Sequence, residues 1–290
     1  MIGVVVDEVL KELEKATNEG IKAADDYINA DTGLLMCGQC HTKKQKKISF
    51  LGEERIVGCL CRCAAEKLEK EREEHRVKEE LLNIQKMKSA GLQDKAFYNY
   101  TFERCDASQE NAIYAKRYVE HFSEMAQTGQ GLLFWGNVGT GKTFLAGCIA
   151  NALLEQKVPV LMTSFPKILN AFGGLYSSER NEYLASLNRY TLLVIDDMGI
   201  ERESQYTVET IYTVIDERYK SGKPFIITTN LQLDALKNPQ DVEHARIYDR
   251  IMERCMPVYF GGRNYRSELG QENRDAAKKV LTGAADNGRF

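Results

Sequence analysis

Apolar positions along this chain follow two rhythms. From Gly131 onward, short runs that are apolar at nearly every position alternate with longer stretches whose apolar residues recur every three or four positions. The short runs are Leu132 to Trp135, Val158 to Thr163, Thr191 to Ile195, Pro224 to Thr229 and Pro257 to Phe260. Unbroken apolar runs of this length predict strands buried on both faces. The longer stretches predict helices over Glu110 to Ala126, Phe144 to Leu154, residues 166–188 with a break near Gly173 and Gly174, Ser204 to Tyr219 and Arg246 to Arg254. Strands that alternate with helices predict an α/β fold, a parallel sheet with helices on both faces. Ligands of such sheets sit beyond the carboxyl ends of the strands.

The first hundred residues read differently. Asp7 to Ile28 has roughly helical spacing, with Val9, Leu10, Leu13, Ala16, Ile21 and Ala24 on one face. Two strand-like runs follow, Ile48 to Leu51 and Arg55 to Gly58, with Leu51 to Glu54 as their turn. Ala64 to Met87 is dense in Glu, Lys and Arg and lacks Gly and Pro, which predicts an exposed, salt-bridged helix that Gly91 ends. The aromatic stretch Tyr98 to Phe102 leads into the sheet region. It either docks the connector on the core or frames a bound base.

The chemistry concentrates in the segment Gly136-Asn137-Val138-Gly139-Thr140-Gly141-Lys142-Thr143-Phe144, which links the first core strand to its helix. It fits G-x-x-x-x-G-K-[ST] at each fixed position, with the strand and helix that pattern requires. The glycines permit a tight turn in which backbone N–H groups face inward as an anion nest, and the helix adds its positive end. Lys142 is placed to reach outer phosphates and the Thr143 hydroxyl to hold Mg2+. A second motif lies 54 positions after Lys142, where the run Thr191 to Ile195 ends in Asp196 and Asp197. Asp196 is the candidate Mg2+ ligand and Asp197 the candidate group that orients or deprotonates the attacking water. Asn230 closes a further strand and is a candidate contact to the γ-phosphate or that water.

Composition narrows the class. The chain has 290 residues, 43% hydrophobic and 28% charged, and a net charge of -3. That charge gives no global attraction to nucleic acid, so a DNA site must be local. The start of the chain has no basic, apolar leader and no run approaches a membrane span, which predicts a cytoplasmic protein without a membrane partner. Of eight cysteines, five lie between positions 37 and 63. Cys37 and Cys40 form a C-x2-C knuckle, the predicted hairpin follows, and Cys59, Cys61 and Cys63 close the set. This resembles a zinc ribbon with a structural Zn2+ bound by four of the five, His41 competing for a place and the second pair remaining open. The run Lys43 to Lys47 between the two groups is either a solvated loop or a contact to DNA or an acidic partner.

The series GNVGTGKT, LLVIDDMG, ITTN, YDRIMERC and GGRNYRSE, with TFERCD upstream, resembles the bacterial and phage helicase loaders of the DnaC/DnaI type, AAA+ ATPases related to the transposition helper IstB. The resemblance covers roughly residues 95–275. It implies an AAA+ sheet in which the Asn230 strand lies between those carrying Lys142 and Asp196. It implies that Asn230 is sensor 1, that Arg250 is an arginine finger completing a neighbouring subunit's site, and that Arg266 is the sensor-2 arginine touching nucleotide. Both arginines would offset phosphate charge.

The expected domains are residues 1–63 (a helix and a zinc module), 64–94 (a helical connector) and 95–290 (the ATPase). The implied function is ATP-dependent loading of the replicative helicase, a DnaB/DnaC-type hexamer, onto single-stranded DNA in replication initiation. The N-terminal module would grip the helicase, and loader subunits would self-assemble through ATP interfaces. The rivals are an IstB-like helper acting on duplex DNA and a zinc-ribbon adaptor with a vestigial ATPase.

Overall fold

The computed structural model describes residues 22–50, 52–105, 109–199, 204–239 and 241–282. The chain divides into two compact units, Met1–Leu82 and Asn83–Phe290.

In the first unit, β1 (Tyr27–Ile28) pairs antiparallel with β2 (Leu35–Met36), and β3 (Gln45–Phe50) with β4 (Glu53–Gly58). Most of the helix expected over Asp7 to Ile28 lies outside the described residues, but residues 22–28 are a turn and a short strand. The reason is Asp26. Its carboxylate accepts from the Ala23 amide at 2.7 Å and the Gly38 amide at 3.1 Å, and pairs with Lys44 at 2.5 Å. These bonds, the Ala23 amide first, hold its carboxyl down at about 2. Partners 12 and 18 positions away override a local helical rhythm. Lys46 and Lys47 lie in β3 rather than in a loop.

Helix α1 (Arg62–Gly91) contains the boundary between the units, and i,i+4 pairs such as Lys67–Glu71 and Lys70–Glu74 line it. In the second unit, α2 (Glu110–Glu120) and α3 (Phe122–Thr128) replace the single helix expected there, breaking at His121. The core runs β5 (Gly131–Gly136), α4 (Lys142–Glu155), β6 (Val160–Ser164), α5 (Phe165–Gly173), α6 (Ser177–Leu187), β7 (Leu192–Met198), α7 (Gln205–Lys220), β8 (Phe225–Thr229), α8 (Leu233–Lys237), α9 (Val242–Arg254), β9 (Cys255–Phe260) and α10 (Tyr265–Thr282).

The five core strands form one parallel sheet in the order β6-β7-β8-β5-β9. Its β8 lies between β5 and β7, the AAA+ order that the resemblance implied. Because strand side chains alternate, Leu132, Phe134, Val194 and Ile226 face α2 and α4, while Leu133, Leu193, Ile195 and Ile227 face α5, α7 and α9. Both faces are dry, which is why the strands read as continuous apolar runs.

A charged side chain sits deep inside this core. Arg218, 1% exposed, donates to the carbonyls of Tyr190 (3.0 Å), Thr191 (2.9 Å) and Pro224 (2.7 Å), fastening the entries of β7 and β8 to α7. Burial lowers its pKa to about 10, so it remains a cation at neutral pH. Arg218→Met is expected to strand these carbonyls at a cost of about 3 kcal/mol. A drop of roughly 6–12 °C in the melting temperature of this unit, read by calorimetry, is the corresponding result; an unchanged melt would contradict it.

Candidate active site and metal centre

The loop between β5 and α4 is built by its glycines. Gly141 precedes α4 with φ 95, a left-handed conformation that a side chain disfavours. Lys142 begins the helix, is almost fully buried, and donates to the Gly136 carbonyl at 2.9 Å and the Asn137 carbonyl at 2.6 Å. Thr140 donates to the same Asn137 carbonyl at 2.7 Å. Burial lowers the Lys142 pKa, and the charges of Asp197 and Asp196 oppose that shift.

A cavity of about 330 Å3 opens over this loop. Val138, Gly139, Thr140, Gly141, Lys142, Thr143 and Phe144 line it, joined by Asp197, Asn230 and Arg266 from distant parts of the sequence. Gly136 and Asn137 are not among its lining residues and serve as the platform beneath Lys142. Asp196, 6% exposed, lies toward the carboxyl end of β7 beside Thr143. Burial raises its pKa, while hydrogen bonds from Thr228 and Thr143 pull the other way.

Arg250 lies on α9 and does not line the cavity. Its guanidinium pairs with Asp216 at 2.7 Å, donates to the Tyr212 hydroxyl at 3.2 Å and stacks over the Tyr212 ring. Lys220 holds the other Asp216 oxygen at 2.7 Å.

Several lining residues receive no role of their own from the sequence. Arg104, Cys105 and Gln109 come from the segment before α2, and Tyr265 from the start of α10. Gln109 bonds the Tyr265 hydroxyl, and the Tyr265 amide bonds the Gly139 carbonyl at 2.9 Å, so α10 is docked on the phosphate loop. Tyr100, from the aromatic stretch, lines the cavity and packs on Phe144 with ring centroids 5.2 Å apart. Asn151 holds that stretch in place. Buried in α4, it donates to the Phe97 carbonyl at 2.7 Å and the Tyr100 carbonyl at 3.0 Å. Gly147 leaves room for the Tyr100 ring, which a Cβ would strike. The signal for this wall was a lone Asn in an otherwise apolar helix.

Residues 45–273 match the family described as IstB-like ATP binding protein. The chain belongs to this family. It is 29% identical over 181 residues to the replicative helicase loader DnaC of Escherichia coli (strain K12), covering 61% of this chain and 71% of that one. It is 27% identical over 180 residues to the replicative helicase loader DnaI of Bacillus subtilis (strain 168), covering 57% and 58%. Among solved structures, a crystal structure of DnaI superposes with a TM-score of 0.50 at 25% identity, over 60% of this chain and 94% of that one. The resemblance read from the motifs is thereby borne out, and ATP is the ligand the family assigns to a cavity of this kind.

The first unit holds a second cluster. The sulfurs of Cys37, Cys40, Cys61 and Cys63 lie within 4.8 Å of one another. Cys59 is outside the set, with its thiol directed at the Lys43 carbonyl. The structure therefore groups Cys61 and Cys63 with Cys37 and Cys40. The geometry fits a metal ion. Four thiolates tetrahedral about zinc have sulfurs about 3.8 Å apart, and here Cys37–Cys63 and Cys61–Cys63 are 3.6 and 3.4 Å apart. The charge balance fits as well. The Thr42 hydroxyl and backbone amides draw Cys40 down to about 5, while the other sulfurs, Cys61 first, push Cys63 up to about 12. Four crowded sulfurs cannot all ionise unaided, and a divalent cation supplies the missing charge. Among the described residues, no helix is long and apolar enough to cross a membrane.

Proposed function

We propose that this chain is an ATPase that loads a replicative DNA helicase onto single-stranded DNA. What supports the loader reading is the likeness to DnaC and DnaI, both named replicative helicase loaders. What supports hydrolysis is the convergence of Lys142, Thr143, Asp197, Asn230 and Arg266 on one cavity, with Asp196 beside Thr143. In this reading Lys142 and Arg266 offset charge on the phosphates. The Thr143 hydroxyl and the Asp196 carboxylate, which lie side by side, are a hard oxygen pair that fits Mg2+. When bound, Mg2+ neutralises charge that builds on the phosphates. Asp197 accepts a proton from the attacking water, Asn230 orients that water, and Tyr100 frames the adenine. The cysteine module, held by Zn2+, grips the helicase, and neighbouring loader subunits share ATP at their interfaces.

Hydrolysis is expected to rise with single-stranded DNA and helicase together, and not with duplex DNA. Stimulation by duplex DNA alone would favour a transposition helper, and no hydrolysis under any partner condition would favour an adaptor.

Arg250 gives a sharper expectation, because it lies outside its own subunit's cavity and so suits action on a neighbour's. Arg250→Ala is expected to bind ATP normally and to lose stimulated hydrolysis by roughly 1,000-fold. Mixing it with Lys142→Ala subunits, which keep the arginine, should restore turnover. Normal stimulated hydrolysis by Arg250→Ala alone would rule out the trans role.

A further inference from the structure

Asp196 and Asp197 are consecutive residues of one strand, and consecutive strand side chains point to opposite faces. Both nevertheless lie at the same cavity, Asp197 by lining it and Asp196 by standing beside Thr143, which lines it. The backbone explains how. The pairing of β7 with β8 shifts register between Ile195 and Met198, and Asp197 has φ 58, in the left-handed region. Such bulges re-aim side chains, and a non-glycine residue stays in this region only where its surroundings hold it.

Thr228, on the neighbouring strand β8 and fully buried, is the group that holds it. Its hydroxyl accepts from the Asp197 amide at 2.9 Å and donates to Asp196 Oδ1 at 2.5 Å. A threonine hydroxyl has a single proton. Spending it on Asp196 fixes that carboxylate as an acceptor at Oδ1. The lone pair that receives the Asp197 amide pins the bulge. One side chain therefore sets the direction of both acids, and it sits two residues before Asn230.

We propose that Thr228 is a positioning residue for the nucleotide site, its hydroxyl registering Asp196 and Asp197 to each other and to the phosphate loop. This rests on the reading that Asp196 helps to hold Mg2+ for ATP hydrolysis. Thr229 provides an internal comparison, since it is equally buried and donates to the Met198 carbonyl at 2.7 Å without touching either acid.

The test is titration of a fluorescent ATP analogue into the full chain at graded Mg2+, together with steady-state hydrolysis. Thr228→Val is expected to raise the Mg2+ concentration at half-maximal binding by about 10-fold or more and to slow hydrolysis by a similar factor. Mg2+-free nucleotide affinity should stay unchanged, and Thr228→Ser should recover both values. Thr229→Val should leave the Mg2+ midpoint where it is. If Thr228→Val fails to fold, Thr228→Cys, a much weaker donor of similar size, is read in its place. A wild-type midpoint in the valine or cysteine variant overturns the proposal and leaves the ATPase reading standing. An equal shift in Thr229→Val also overturns it, because general loosening of β8 then explains the effect. Wild-type binding that ignores Mg2+, with no hydrolysis, overturns the ATPase reading and the proposal with it.

Discussion

Lys142→Ala is expected to weaken ATP binding by roughly 100-fold or more, because the ammonium would make at least two charge-assisted bonds to phosphate, each contributing about 1.5–3 kcal/mol. In the structure this ammonium already rests on the Gly136 and Asn137 carbonyls, inside the loop that ATP must enter. Burial and the nearby charge of Arg266 lower its pKa, and Arg266 and Arg104 line the same cavity. The alanine variant keeps the glycine turn and the sheet but gives up the bonds to the Gly136 and Asn137 carbonyls, so a fall of a few degrees in melting temperature should accompany the loss of binding. Isothermal titration with ATP separates the outcomes. Affinity within a few-fold of wild type would mean that the loop does not grip phosphate through Lys142.

Loss of the metal centre is expected to have the largest structural effect. Among the described residues before α1, the buried apolar side chains are Leu34, Leu35, Cys37 and Cys61, two of them ligand candidates. A core this small does not hold a fold by itself, and structural zinc in such modules contributes about 10–16 kcal/mol. The purified chain should carry one zinc by elemental analysis. Cys61→Ser and Cys63→Ser should lose it and become protease-sensitive before α1, whereas Cys59→Ser should retain it. Zinc loss in Cys59→Ser with retention in Cys61→Ser would reassign the second pair.

The contrast between these two sites shows what a sequence exposes. The phosphate loop was legible because its chemistry depends on local spacing: glycines at fixed offsets, then Lys142 and Thr143 at the start of a helix. The strand that ends in Asp196 and Asp197 was legible for the same reason. The order of the strands came only through family resemblance, since nothing local tells β8 to lie between β5 and β7. The choice between Cys59 and Cys61 was not legible, because it depends on which side of the hairpin each sulfur leaves, and Cys59 turns to the Lys43 carbonyl. Ala23 to Ile28 was misread because Asp26 takes its partners from Gly38 and Lys44. Thr228, Asn151 and Arg218 share one reason for being missed. Each is a polar side chain inside an apolar element, and its meaning lies in partners 27 to 54 positions away. Arg250 was found by motif, yet its neighbours, Asp216 and Tyr212, appear only in three dimensions.

The loader reading stands or falls on a physical complex. The most direct measurement is size-exclusion chromatography with light scattering on the full chain, its host's replicative helicase and ATP. The account predicts a stable complex of both proteins, weakened when Cys61→Ser removes the metal module. No complex in either ATP or ADP would contradict it.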